Sequence, residues 1–384
     1  MNQASRREIK VVHITTVHRP FDARIFHKQC VSLAKAGFDV TLIQRGETDE
    51  VRENVKIVPL GLIEGRIRRT TVGVWRAAMV ARQLRADVVH FHDIELIWAG
   101  LILKLIGTSV VIYDVHEDVA KDLHDKAYLP KWARWPISLG VRLFEWLACK
   151  MLDHASAATS AIAARFPTEF VTLIRNTPIL GEMAPTDIPD FADRPMRAVY
   201  LGGLAAFNGP LAMVNAFALL PDRLGARLTL GGVWPDPDLE ARTKSLAGWS
   251  YVDFVGWVDR KDVGGVFAQS RCGLILYEPT PNVIESEPNK FFECMSAGLP
   301  IIVSNFPIWR QLIEQIGCGI CVDPGDYQAI ADAITWIMDN PDEAQAMGAR
   351  GREAVLGGYN WDVDAKNLVA MYDAQIAAKV IPNA

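Results

Sequence analysis

Short β-branched runs alternate with longer helical runs along this chain, and the alternation is played twice. In the first half "IKVVHITTV", "DVTLIQ", "VKIVPL", "DVVHFH" and "SVVIYDVH" read as strands. The segments "RIFHKQCVSLAKAGF", "TVGVWRAAMVARQLR" and "ELIWAGLILKLIG" read as helices, and "ISLGVRLFEWLACKMLDHA" as a longer one. In the second half "RAVYLGG", "RLTLGG", "YVDFVGWV", "RCGLILY", "LPIIVSN" and "CGICVDP" are strands, with helices at "PLAMVNAFALL" and "NKFFECMSAG" and from about Tyr327 onward. Strands separated by helices pair in parallel through right-handed crossovers. The expected fold class is therefore α/β, with two doubly wound parallel-sheet domains of the Rossmann type. At 384 residues the length suits two domains. Residues 177–195, rich in Pro and Asp, read as the linker between a domain at 1–176 and another at 196–360.

Composition narrows the function classes. Half the residues are hydrophobic and 22% are charged, an ordinary globular balance. No apolar run reaches the roughly 18–20 residues of a membrane span. The basic N-terminus passes straight into a strand, so no signal peptide is expected and the expected compartment is the cytoplasm. The six cysteines are scattered; Cys318 and Cys321 sit in a strand entering a turn, which argues against a metal or redox pair. Charge is uneven. Residues 1–175 hold 25 Lys+Arg against 19 Asp+Glu, the remainder 15 against 26. With the second half acidic and no recognition motif present, no nucleic-acid partner is expected.

In doubly wound sheets ligands meet the carboxyl ends of the strands. Polar residues after strands are thus the candidates. His18, Asp22 and Arg24 follow the first strand; His92 and Asp93 follow "DVVHF"; His116, Glu117 and Asp118 follow "VVIYD". Gly202 and Gly203 follow "AVYL", and a loop from Glu285 to Lys290 follows "GLILY". Pro288 and Asn289 lead into a helix starting near Lys290. Its free N–H groups suit a phosphate or diphosphate, and Lys290 adds a charge. Glu293, one turn in, repels phosphate but suits a ribose diol; it also complements the helix terminus as any acid there does. No metal is expected: Asp236/Asp238 and Asp362/Asp364 follow no such strand, and His90, His92 and Asp93 point partly to opposite faces.

The spacing from Glu285 to Glu293, followed by "MSAGLPIIVSN", resembles the E-x7-E signature of retaining glycosyltransferase family 4, which has the GT-B fold. So do "TTVHRPFDARIFHKQCVSLAKAGFDVTLI", "HFHDIE", "VIYDVHED" and "YNWDVDAKNLVAMY", and the likeness to bacterial polysaccharide members covers nearly the whole chain. The resemblance implies two domains facing across a cleft, with residues 361–384 crossing back onto the first. It implies a nucleotide diphosphate sugar as donor, with no further cofactor. Glu293 would hold the ribose, and Glu285 would lie near the donor sugar. Asn289, Lys290 and the loop would meet the diphosphate, and Val255 and Gly256 would border the base. His116 would stand near the reacting centre. The sequence departs from the family at Gly203 and Asn208, where two bases usually grip the diphosphate. Lys290, the helix N-terminus or Arg24 across the cleft is left to replace them, and Glu287 is a second candidate for the role of Glu285.

Residues 126–150 carry five Lys+Arg and one Glu with three interleaved tryptophans, and residues 65–85 carry six Arg. Basic residues beside tryptophans suit the inner face of a membrane; an ordinary amphipathic helix packed on the sheet gives the same pattern. The expected activity is transfer of a sugar to a lipid-linked or oligosaccharide acceptor in exopolysaccharide or O-antigen synthesis. The competing readings are a nucleotide-sugar epimerase of similar fold and a non-catalytic nucleotide-sugar-binding partner.

Overall fold

The computed structural model describes residue 6 and residues 8–63, 65–107, 109–125, 129–182 and 189–380. The chain divides into two compact units: Met1–Asn176 with Trp361–Ala384, and Thr177–Asn360. Each is an open sheet with its own hydrophobic core.

The first unit contains β1 (Lys10–Ile14), β2 (Asp39–Gln44), β3 (Glu50–Arg52), β4 (Val55–Pro59), β5 (Val88–Phe91), β6 (Val110–Val115), β7 (His154–Ala157) and β8 (Val171–Leu173). The order across the sheet is β3-β4-β2-β1-β5-β6-β7-β8. Every pairing is parallel except the exposed edge strand β3 on β4. The inner strands are buried on both faces, which is why "VVHI" and "VVIYDV" are mostly apolar instead of alternating. The chain leaves β1 in one direction for β2 and later enters β5 on the other side. The switch point of this sheet therefore lies between β1 and β5.

The second unit contains β9 (Arg197–Leu201), β10 (Arg227–Gly231), β11 (Val252–Gly256), β12 (Cys272–Ile275), β13 (Ile301–Ser304) and β14 (Gly319–Val322), all parallel, in the order β11-β10-β9-β12-β13-β14. Its switch point lies between β9 and β12.

The structure differs from the sequence reading at several elements, the short strands β3 and β8 among them. The helix expected to run through "MLDHA" ends at Cys149, and His154–Ala157 form β7 beside β6. His, Ser and Ala are weak strand formers, so only the neighbouring strand makes this segment extended. Of the expected linker, residues 183–188 lie outside the described residues, while Phe191–Asp193 form a 3-10 turn whose Phe191 is buried in the second core. Residues 126–128 of the basic stretch also lie outside the described residues, as do 381–384 of the last helix.

The Trp361–Val380 helix belongs to the first unit. Trp361 donates from its indole to Ser32 Oγ at 2.8 Å, and Asp364 accepts from Arg175. Tyr372 is wholly buried against His13 and His90.

Candidate functional site

In the second unit the chain leaves β9 at Gly202 and Gly203, on the switch point. The helix Asn289–Ser296 begins beside them with Pro288 as N-cap, so no side chain caps its first-turn N–H groups. Lys290 lies across Gly202. A Cβ built at Gly202 would stand 2.2 Å from Lys290 Nζ and 2.4 Å from Cε, so a side chain there would push the end of Lys290 aside. Nζ sits 5.5 Å from the centre of the Tyr200 ring. Tyr200 is buried and donates its hydroxyl to the Gly203 carbonyl at 2.8 Å, which fixes the turn after β9. Burial first, then Tyr277 and Glu293, push the Tyr200 phenol far above its ordinary value, so it stays a neutral donor. Glu293, half-buried one turn along the helix, shares a small recess with Lys290, Tyr200 and Cys294.

The neighbouring strand ends close in on the same place. A Cβ at Gly232 would fall 1.7 Å from the Gly202 carbonyl oxygen, and the Gly232 N–H donates to the Gly256 carbonyl at 2.6 Å. The turn after β10 thus joins Gly202 to Gly256. Val255, beside it, keeps its side chain in solvent. Asn208 is buried, and its Oδ1 accepts from the Ala205 N–H at 3.2 Å. It closes its own turn, so neither it nor Gly203 brings a charge to the site. Glu285 is exposed at the end of the short helix Pro281–Ile284. The next residue, Ser286, accepts at its carbonyl from the indole of Trp309 at 2.6 Å. Trp309 is wholly buried between the rings of Phe291 and Phe306, each 4.7 Å away, so the loop is held from inside the core.

In the first unit Asp93 and the loop after β1 meet across the switch point. Asp93 Oδ2 accepts from the Thr16 N–H at 2.6 Å and from Thr15 Oγ1 at 3.0 Å, shaping that loop. Its Oδ1 faces His18 Nε2 at 3.3 Å. Asp22 caps the helix Ala23–Cys30, accepting from the Arg24 and Ile25 N–H groups, and lies 3.8 Å from His18 Nδ1. Burial opposes charge on His18, but the carboxylates of Asp22 and Asp93 outweigh it and push its value up to about 10. The same pairing holds both carboxylates below their usual range despite burial. His18 is an imidazolium at neutral pH, and its Nε2 stands 2.9 Å from His116 Nε2. His116 Nδ1 is buried 3.6 Å from Asp114 Oδ2. His18, Asp93, Asp114 and His116 line a pocket of about 270 Å³ together with Glu95, Glu117 and Asp122.

Arg24 is not a cleft cation. Its guanidinium is buried, forked onto Asp114 at 2.7 and 3.0 Å, with a third bond to the Ile174 carbonyl. A residue in the first turn of the helix that follows a strand can turn into the core as readily as out, and the buried Asp114 carboxylate draws this one in. His92 lines the pocket, yet both its ring nitrogens are taken, Nδ1 by Asp114 at 2.9 Å and Nε2 by His13 at 2.8 Å. His90 binds Tyr372 and Ser156, and Ser156 donates to Asp114. His90 on β5 and His92 just past its end lie on one side with His13. One nitrogen from each lies within 4.8 Å of the others. Each of the six nitrogens of the trio lies within hydrogen-bond distance of a partner, so the trio is tied into one side-chain network that runs through Tyr372, Ser156 and Asp114. The sequence pass overlooked Asp114 and this network. The signal was an aspartate inside an otherwise apolar strand, "VVIYDV".

Two family models match the chain. The model described as Glycosyltransferase Family 4 covers residues 23–172, and the one described as Glycosyl transferases group 1 covers residues 187–354. An MMP alpha-(1->4)-mannosyltransferase of Mycolicibacterium hassiacum is 21% identical over 311 residues, 79% of this chain and 74% of its own. A phosphatidyl-myo-inositol mannosyltransferase of Mycobacterium leprae is 30% identical over 137 residues, 35% of each. Among solved structures, sucrose-phosphate synthase from Thermosynechococcus elongatus matches with a TM-score of 0.75 at 20% identity, over 96% of this chain and 100% of that one. Anabaena HepE in complex with UDP-glucose matches with a TM-score of 0.72 at 13% identity, over 95% and 100%. At such identities the structural likeness carries the fold.

Proposed function

Because this chain belongs to glycosyltransferase family 4, group 1, and is a transferase that uses a nucleotide sugar, we propose that it retains anomeric configuration and moves a sugar from a nucleotide diphosphate sugar to a lipid-linked glycan. The product would serve exopolysaccharide, O-antigen or related cell-surface polysaccharide synthesis, at the inner face of the cytoplasmic membrane. No metal is required in this reading. In the second unit Glu293 holds the ribose, Val255 and Gly256 border the base, and Glu285 lies by the donor sugar. Lys290 and the N–H groups around Asn289 take the diphosphate. In the first unit His116 meets the sugar at the reacting centre, with His18 and Asp22 beside it on the acceptor side.

The observation that carries the reading is the Lys290 ammonium lying over Gly202 at the switch point. A fixed cation there stabilises the diphosphate most as it departs with its full charge. It restores one of the contacts that Gly203 and Asn208 do not supply. The acceptor class draws on the Mycobacterium leprae relative, whose name specifies a phosphatidyl-myo-inositol substrate.

A thermal-shift panel of UDP-, GDP- and dTDP-sugars, followed by hydrolysis and transfer assays with the sugar that binds, tests the proposal. The expected result is turnover that Glu293→Ala and His116→Ala each abolish. Donor binding without turnover in the wild type would overturn it in favour of a non-catalytic partner.

A further inference from the structure

The helix Lys131–Cys149 is packed inside out. Its buried residues are small or polar: Ala133, Ser138, Glu145, Ala148 and Cys149. Ser138 donates to the Ala120 carbonyl at 2.7 Å. Glu145 accepts from the Tyr113 hydroxyl at 3.1 Å and pairs with Arg165. Those bonds fix the rotation of the helix, since turning it round would strand a buried carboxylate's partners. The large apolar residues consequently face solvent. Trp132, Trp135 and Trp146 are 81%, 67% and 54% exposed, and Leu139, Leu143 and Leu147 are each about half exposed or more. They recur at three- and four-residue steps, so they form one stripe down the helix. The ordinary amphipathic arrangement, with apolar side inward and charges in water, is therefore excluded. The stripe continues onto the neighbouring helix Ile97–Ile106, where exposed Trp98 lies tilted against Phe144 with ring centres 4.8 Å apart. An apolar surface of this extent marks a docking face.

Charge selects the occupant. Lys131, Arg142 and Lys150 are exposed along the same helix, and its one acid, Glu145, is buried. Lys150 Nζ lies 3.6 Å from the centre of the Trp146 ring, so its ammonium rests on the face of an exposed tryptophan. A stripe of tryptophan and leucine edged by cations matches the headgroup zone of an anionic bilayer, where indole rings sit at the boundary and cations meet phosphate. No helix among the described residues is long and apolar enough to cross a membrane. At roughly 1.5 Å per residue this one offers a bar ~28 Å long that lies in the surface.

We propose that the outward stripe of Lys131–Cys149, with Trp98 beside it, is the element by which this protein binds anionic phospholipid bilayers. The proposal gives the membrane reading above its surface. It does not depend on the acceptor being lipid-linked, because the vesicles used to test it carry no glycan lipid. Cosedimentation of the full chain with vesicles of phosphatidylcholine, alone or mixed with phosphatidylglycerol, at low and high salt, is the experiment. The expected result is binding to the mixed vesicles at low salt that weakens by roughly a hundredfold on neutral vesicles or in high salt. The triple variant Trp132→Ser, Trp135→Ser and Trp146→Ser should lose mixed-vesicle binding while keeping its melting temperature and donor hydrolysis. Lys131→Glu with Lys150→Glu should lose it as well. Absence of binding at low salt overturns the proposal, and so does equal binding to neutral vesicles. A wild-type dimer that the triple serine variant splits, without vesicle binding, assigns the stripe to a second copy and overturns it too. Equal transfer to a soluble oligosaccharide would instead remove the lipid-linked acceptor and leave this surface standing.

Discussion

His18 keeps its charge because Asp22 and Asp93 converge on it, while His13, His90 and His92 lie wholly buried and burial holds each below its ordinary value. The two cases act on stability in opposite directions. The folded chain keeps a proton on His18 that the unfolded chain releases near 6.5. This contribution is fully present below about 6.5 and is lost as pH rises toward about 10. The buried trio excludes protons that the unfolded chain accepts below about 6.5, so its contribution is present above that value and is lost as pH falls. Urea midpoints measured across this range should therefore fall on both sides. In His18→Gln the deficit relative to wild type should be largest at mildly acid pH and shrink as pH rises toward 10. A deficit independent of pH would show that His18 contributes only packing.

At the scale of elements, the helix Trp361–Val380 does more than cover the first sheet. Its Tyr372 hydroxyl bridges His13 at 3.1 Å and His90 at 2.8 Å, closing the network that runs through His92, Ser156 and Asp114. Tyr372→Phe leaves two buried imidazole nitrogens without that partner. It should destabilise the chain by about 1–3 kcal/mol in chemical denaturation, with nucleotide-sugar binding in the second unit unchanged. The sequence reads well where one rule decides an element. β-Branched runs such as "VVIYDV" and "IIVS" can be little else than buried strands. It reads poorly where partners decide. "HASA" becomes a strand only because β6 lies alongside. The helix Lys131–Cys149 shows its period plainly, but which side faces inward depends on Arg165 and Tyr113, far from it in sequence. Arg24 has the right position after β1 and the wrong direction, because Asp114 waits in the core.

At the scale of the molecule, one topological rule places both candidate sites. Each sheet reverses its strand order once, and each reversal holds the polar residues that follow the strands on either side of it. In the first unit these are His18 and Asp93, with His116 beside them; in the second they are Gly202 and Gly203, with Lys290 and Glu293 on the adjoining helix. Their strand-end positions were legible in the sequence, whereas the lodging of Lys290 against Gly202 required the fold. The proposed diphosphate site depends on that contact, which sets the Lys290 ammonium over Gly202. Isothermal titration of UDP and GDP into wild type, Lys290→Met and Gly202→Ala tests it most directly. A charge-assisted contact of about 1.5–3 kcal/mol corresponds to roughly ten- to a hundredfold in affinity. The wild type should bind at least one nucleotide and both variants should lose that much, with Lys290→Met keeping the wild-type melting temperature. Wild-type affinity in both variants would contradict it.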